Sequence, residues 1–248
     1  MSETEYEHRK ALQEEFGRAA ATFGIRTRGR FDHMGVVDFS RIAPGGSVAE
    51  IGAGTGNFLA LFAETASRLV AIDLSSAMLS EARRLHSRLA VVAGEGRSLP
   101  LANASFDLVA CAQMIHHVLD PTPLLREMAR VAAGRVLVVD QVAEEDERAA
   151  AAMTELETLR DPSHAASRPP SAYRGLLSQA GLTLIGERIV EGRQRFTEWM
   201  WPEEFPEERF RAVREFIDTR GADTGMDFQK EGDDYLFARK RMMLLAEA

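Results

Sequence analysis

Apolar and polar positions along the chain alternate between short apolar runs and stretches of helical character. Apolar runs of strand length occupy residues 47–51, 68–73, 89–93, 106–111 and 135–140. Helical patterns lie between them at 57–66, 76–85 and 123–132. Strand alternating with helix predicts a mostly parallel, doubly wound α/β sheet. The punctuation agrees with these limits. Ser75 is placed to cap the helix at 76–85, Thr122 and Pro123 suit an N-cap followed by the first helical position, and Gly134 suits a C-terminal stop. After Asp140 the character changes to a helix-rich section reaching about Ala180, followed by late strand candidates at 182–190 and 234–245. There is no internal repeat and no low-complexity tract.

The first two predicted strands carry the most informative chemistry. The run at 48–51 enters a loop with glycine at 52, 54 and 56, and the second strand ends on Asp73. A strand, a glycine turn, a helical run and a second strand ending in a carboxylate form half of a nucleotide-binding sheet. The carboxylate stands roughly 20 residues past the loop, where it can accept hydrogen bonds from ribose hydroxyls. The glycine spacing then narrows the ligand. Dinucleotide sites use G-x-G-x-x-G, whose last glycine lets the helix close on the strand and meet a pyrophosphate. Here the pattern is G-x-G-x-G, Asn57 replaces the third glycine of the dinucleotide spacing, and Glu50 precedes the loop. A carboxylate at that place repels pyrophosphate and attracts a cation. S-adenosylmethionine, with a ribose, no phosphate, an ammonium and a sulfonium, suits these residues better than a nicotinamide dinucleotide.

Residues 48–56, VAEIGAGTG, resemble the first motif of the class I S-adenosylmethionine-dependent methyltransferases. Residues 91–121, VVAGEGRSLPLANASFDLVACAQMIHHVLDP, resemble the middle of the type 11 family, which includes the quinone-pathway C-methyltransferases. FGRAAATF (16–23) resembles an N-terminal helix that closes over the cofactor in that family, and residues 159–182 resemble a linker and helix of a bacterial branch. The similarity covers roughly residues 16 to 200. It implies a mostly parallel, seven-stranded Rossmann-like sheet with an N-terminal helical lid at 1–40. A cofactor-binding core at 41–142 would follow, then a helical insert after the fifth strand and C-terminal strands completing the sheet at 143–248.

The resemblance also implies a set of cofactor contacts. Phe16 and Phe23 belong to the closing helix. Glu50, Gly52, Ala53, Gly54 and Gly56 form the first motif. Asp73 and Leu74 meet the ribose, and Met78 is a candidate for the adenine pocket. Glu95 holds the place of an acidic residue that binds the adenine amino group, followed by Gly96 and Arg97. Arg97 departs from the acidic residue common there. Cys111, Ala112 and Gln113 would lie beside the methionine portion, largely through backbone atoms.

Composition sets limits around this reading. An apolar content of 45% and a charged content of 27% over 248 residues suit one large globular unit. A net charge of −8 argues against a nucleic-acid backbone as the main partner. No apolar stretch approaches the roughly 20 residues that span a bilayer. The N-terminus lacks the apolar run of a signal peptide, and the lone Cys111 cannot form an internal disulfide. These features point to a cytoplasmic protein.

The expected reaction is transfer of the methyl group by in-line displacement to a small-molecule acceptor, leaving S-adenosylhomocysteine. His116 and His117, just past the fourth strand, and His164 in the insert are candidates for taking a proton from the acceptor. Each also has a structural reading, as a buried ring or a loop-pinning hydrogen bond. No His, Cys, Asp or Glu cluster has metal-ligand spacing, so no metal is expected. The acceptor pocket is expected between the N-terminal helix and the insert from Gln141 to about Pro170. Trp199 and Trp201 beside Pro202 would pack a second small core, or instead wall the pocket or join a homodimer partner, and the acidic run at 203–209 reads as a solvated helix start. An alternative function is a regulatory or assembly module that binds the cofactor or its product without methyl transfer, favoured only by Glu95 and Arg97.

Overall fold

A computed structural model describes residues 3–200 and 205–248; Trp201, Pro202, Glu203 and Glu204, singled out in the sequence, lie outside the described residues. The chain opens on helix α1 (Glu3–Arg26) and the short α2 (Val36–Ser40). The predicted alternation follows as β1 (Ser47–Ile51), β2 (Arg68–Asp73), α3 (Ser76–Leu85), β3 (Ala90–Ala93), β4 (Phe106–Ala112), α4 (Thr122–Val131) and β5 (Ala132–Gln141). The remainder comprises α5 (Glu147–Arg160), α6 (Pro170–Gln179), β6 (Thr183–Arg195), α7 (Phe196–Met200), α8 (Glu207–Arg220), β7 (Gln229–Glu231) and β8 (Asp234–Glu247).

These strands form one sheet in the order β3-β2-β1-β4-β5-β8-β6, with β7 paired on β8. The first five strands pair in parallel, and β8 runs antiparallel to both β5 and β6. The strand order reverses at β1 and β4, so a crevice opens outside their carboxyl ends. The sheet has eight strands where the sequence predicts seven. The additional one, β7, is a three-residue strand closed onto β8 through Gly232 at φ +62°, too short to leave an alternating pattern.

Both faces of the sheet are covered, which explains why its strands read as continuous apolar runs. Along β4, Val109 and Cys111 face one core with Leu124, Met128 and Leu177, whereas Leu108 and Ala110 face a second with Leu59, Phe62 and Leu79. Burying each such aliphatic or aromatic side chain contributes about 1.5–3 kcal/mol. A third cluster joins α5, α7 and α8 to the start of β8 through Leu156, Phe196, Trp199, Phe216 and Phe237.

Ser75 Oγ accepts from the Met78 N–H at 3.3 Å and caps α3 as expected. Three local expectations are corrected. The run at 57–66 yields only a 3-10 turn at Leu59–Phe62. Its last carbonyls are taken from outside: Arg88 donates to Ala63 and Ala66, and the Gly45 N–H to Thr65. These bonds draw the carbonyls of Ala63, Thr65 and Ala66 away from a continuing helix ladder. Gly134 is not a helix stop, because α4 ends at Val131 and β5 begins at Ala132. Gly134 sits inside that strand beside a register shift in β4, where a Cβ would lie 3.1 Å from the Asp107 carbonyl. Finally, Thr122 is the first residue of α4 rather than its cap, and the Asp120 carboxylate accepts its N–H at 3.1 Å.

Candidate functional site

The glycine loop after β1 is shaped by what crowds it. Gly52, Gly54 and Gly56 all have positive φ, at +68°, +53° and +76°. A Cβ at Gly52 would fall 2.6 Å from Met114, and one at Gly56 2.5 Å from Leu89. A Cβ at Gly54 would meet nothing nearer than Phe23 at 3.9 Å, because this glycine faces a cavity. Asp73, at the end of β2, holds the loop from the opposite side. Its Oδ2 accepts from the Gly54 N–H and its Oδ1 from the Ser75 N–H, each at 2.8 Å. Burial pushes the Asp73 carboxyl above its ordinary range, although backbone N–H groups oppose the shift. Glu50 is buried beneath the loop and accepts from the Leu59 N–H at 3.1 Å. Burial, with Asp73 nearby, raises its carboxyl well above the ordinary range. Two carboxyls held up by desolvation favour a cationic ligand, which restores their charged form.

Most of the cofactor residues expected from the sequence line this first cavity. Gly52, Ala53, Gly54 and Glu50 form its floor, with Asp73, Leu74 and Met78 on one side. Ala112 and Gln113 come from the end of β4, and Gly96 from the loop after β3. Phe16 and Phe23 of α1 meet edge to face across a centroid distance of 6.0 Å and close the opposite side. Four expected residues lie elsewhere. Gly56 packs against Leu89 and α3. Cys111 is wholly buried in the core, its thiol raised by burial and by the nearby carboxylates Asp140 and Glu50. Glu95 and Arg97 form an ion pair at 3.1 Å, and neither is among the cavity-lining residues.

A second cavity adjoins the first and is lined by residues from α1, β5, α5, α7 and β8. The three candidate histidines cluster together, with His116 and His117 lining this cavity. The rings of His116 and His117 lie 4.1 Å apart, and those of His116 and His164 5.4 Å. His116 Nδ1 meets Asp140 Oδ1 at 2.5 Å, and the Asp140 Oδ2 accepts the His116 backbone N–H at 3.2 Å. Burial holds the His116 imidazole in its neutral form and pushes the Asp140 carboxyl up to about 6. With Nδ1–H given to Asp140, the lone pair of His116 stays on Nε2. His117 points its Nδ1 at the Ser163 carbonyl at 3.0 Å and lines both cavities. His164 lines neither; its Nε2 meets Ser167 Oγ at 3.0 Å. Trp199, expected from the sequence to wall a pocket, is in the lining of this cavity.

With this geometry, the family model described as "Methyltransferase domain", that of the type 11 methyltransferases, matches residues 49–151. Over those residues the chain is similar to a methyltransferase domain. The protein named "Uncharacterized methyltransferase YcgJ" from Bacillus subtilis is 32% identical over 138 residues, covering 53% of this chain and 54% of that protein. A demethylmenaquinone methyltransferase from Renibacterium salmoninarum is 34% identical over 107 residues, 42% of this chain and 45% of that one. The chain thus spans about half the length of these curated relatives. The crystal structure of YcgJ superposes with a TM-score of 0.79 at 22% identity, over 86% of this chain and 95% of that chain, and shows a common fold.

The first cavity also uses residues that carry no signal in the sequence. Asn57, noted only as a missing glycine, donates through Nδ2 to the Gly24 carbonyl at 2.7 Å and to Thr27 Oγ1 at 2.8 Å. It joins the glycine loop to α1. Arg30, Phe31 and Met114 also line the first cavity. None carries a spacing signal, because each is brought in by a chain reversal and not by an element's period. Among the described residues no helix is long and apolar enough to cross a membrane.

Proposed function

We propose that this protein transfers a methyl group from S-adenosylmethionine to a small-molecule acceptor. The observation that carries the reading is the common wall of the two cavities: Phe16, Phe23, Arg30, Gln113 and His117 line both. One cavity suits the donor and the other the acceptor. The first fits the donor because Gly54 presents no side chain to it and Asp73 and Glu50 supply carboxyls for ribose hydroxyls and cationic groups. Bound there, S-adenosylmethionine would supply a methyl group already activated by its sulfonium.

The protein's own part is positioning and exclusion of water. Holding two reactants in near-attack geometry is worth several kcal/mol, up to about 7–11 in favourable cases. Phe16 and Phe23 give α1 the role of a cap that keeps the junction dry. His116, oriented by Asp140, takes the acceptor proton on Nε2 where the acceptor is a hydroxyl or amine. His117, with Nδ1 held by Ser163, is the neighbouring choice. His164 acts as a loop anchor through Ser167. The domain match and the relatives named as methyltransferases support methyl transfer over binding alone. Arg97, whose charge would have opposed a sulfonium, is paired with Glu95 outside the cavity lining.

Calorimetric titration of wild type and Asp73→Ala with S-adenosylmethionine, S-adenosylhomocysteine and NAD tests the donor. The two sulfur cofactors are expected to bind wild type, and NAD is not. Loss of charge-assisted hydrogen bonds costs about 1.5–3 kcal/mol, which weakens binding roughly 10- to 100-fold in the variant. Binding that ignores Asp73 would sink the reading.

A further inference from the structure

The protein carries a net charge of −8, yet among the described residues its second cavity is lined by five arginines, Arg30, Arg160, Arg209, Arg239 and Arg241, against one carboxylate, Asp161. The carboxylates around it are already engaged. Glu157, buried behind the wall, accepts from Arg239 at 3.0 Å and Arg160 at 3.3 Å. Burial opposes its charge, but Arg239 and Arg160 outweigh that and hold it below the ordinary range. Asp161 accepts from the Ser163 hydroxyl and N–H, and Asp140 is turned to His116.

Two guanidinium groups have no such partner. Among the described residues neither Arg30 nor Arg241 makes a side-chain ion pair, and Arg241 Nε is buried without a hydrogen bond. Burial pushes Arg30 down to about 9, and the charges of Arg241, Arg239 and Arg160 add to the shift. Burial lowers Arg241 to about 10, with Arg239 adding to it against Asp140 and Glu157. Clustered, desolvated cations oppose one another unless an anion joins them.

The orphaned hydrogen-bond donors point the same way. Among the described residues Gln113 Nε2, Gln141 Nε2, Trp199 Nε1, Arg239 Nε and Arg241 Nε are buried without a hydrogen-bond partner, and all five residues line this cavity. Every one of these atoms is an N–H donor. The orientation of Gln141 is fixed, because its Oε1 accepts from Arg239 and leaves the amide nitrogen over. Trp199 is fixed too, its ring lying under the guanidinium groups of Arg160 at 5.0 Å and Arg239 at 5.7 Å. Gln141, Trp199 and Arg239 are 1%, 3% and 7% exposed. A wall whose unsatisfied buried atoms are all donors is complementary to a ligand that offers acceptors.

We propose that the second cavity binds an organic anion, so that the methyl acceptor carries a carboxylate or phosphate group held by Arg30, Arg241 and the N–H groups of Arg239, Trp199 and Gln141. Its role as an acceptor site rests on the donor assignment proposed above; the anion site itself does not. The anion would sit beside Arg241, Arg239 and Trp199, with Arg30 reaching it from the wall shared with the first cavity, and leave the acceptor's other end towards Gln113 and His117 on that same wall.

Calorimetry on the full chain, first with S-adenosylhomocysteine and then with inorganic phosphate, benzoate and the neutral benzamide, tests this. S-adenosylhomocysteine binding reports the donor assignment, and the anions report the second cavity. Saturable binding of phosphate or benzoate, at least tenfold tighter than benzamide, is expected in wild type. Preference between the two anions tells a phosphorylated acceptor from a carboxylate one. Arg241→Gln should cost at least tenfold in anion affinity while keeping or raising the melting temperature, since it removes an unpaired buried charge. Trp199→Phe, which removes one N–H, should show a smaller loss. Benzamide binding as well as benzoate, or anion binding unchanged in Arg241→Gln, would overturn the anion site. Failure of S-adenosylhomocysteine to bind while the anions do would instead overturn the donor assignment and the acceptor role.

Discussion

The side-chain amide of Asn57 donates to the Gly24 carbonyl at 2.7 Å, across 33 positions of sequence, and fastens α1 to the glycine loop. A second bond from the same nitrogen reaches Thr27 Oγ1, and Asn57 Oδ1 lies 3.1 Å from His86 Nε2. One residue therefore joins the cap, the loop and α3. Asn57→Ala should cost about 1–3 kcal/mol, since it strands buried partners. The loss should concentrate on α1. Limited proteolysis is expected to cleave the variant between residues 3 and 26 faster than wild type, and S-adenosylhomocysteine should protect it less.

The three glycines of the loop should fail differently when given a methyl group. Gly52→Ala meets Met114 at 2.6 Å in a left-handed backbone, so it should unfold or strongly destabilise the protein. Gly54→Ala has space for the Cβ, and its cost should approach the roughly 1–2 kcal/mol of the left-handed conformation alone. That Cβ enters the first cavity. Thermal melts paired with cofactor titration should show Gly54→Ala folded but weakened in binding, and equal loss of fold at both positions would contradict this assignment.

Glu50 makes a prediction with a defined sign. Its carboxyl is raised by burial, so its neutral form is the one the fold prefers. The stability it contributes is present below the unfolded value of about 4.3 and is lost as pH rises through the folded value. Glu50→Gln cannot ionise and should be more stable than wild type near pH 8, with the difference shrinking towards pH 5. Cofactor affinity should move the opposite way, weakening by at least about tenfold if one charge-assisted contact is lost. Denaturant melts at the two pH values and a titration at pH 8 measure both effects.

Much of the first cavity was legible in the sequence because its signals are local. The glycine spacing, Asp73 at a strand end and the Ser75 cap are each set by residues within a turn of one another. The sheet itself follows from apolar runs buried on both faces. The second cavity was not legible in this way. Arg30, Arg160, Arg239 and Arg241 are scattered over the chain and meet only because β8 inserts antiparallel beside β5 while α1 folds across the crevice. In sequence each reads as one more surface charge. Trp199 was noticed as an aromatic, yet its unpaired N–H is visible only in the packed structure. The failed helix at 57–66 shows the same limit, since Arg88 takes its carbonyls from 25 and 22 residues away.

The histidine cluster should make the fold sensitive to acid. Burial pushes His164 down to about 3, with His116 and His117 adding to the shift against Glu157 and Asp161. A histidine kept neutral in the fold contributes stability that is complete above its unfolded value of about 6.5. That stability is lost as pH falls towards the folded value. Between pH 7 and pH 5 the loss is about 2 kcal/mol for this residue. His116 is shifted in the same direction, whereas Asp140, raised to about 6, works against them as pH falls. His164→Gln retains a partner for Ser167 Oγ and cannot take up a proton. It should lose about 2 kcal/mol less than wild type over the same interval, leaving the smaller remainder from His116 and Asp140. Equal acid sensitivity in the two proteins would mean that His164 is not held neutral, and that the loop from Asp161 to Ser167 opens to let it charge.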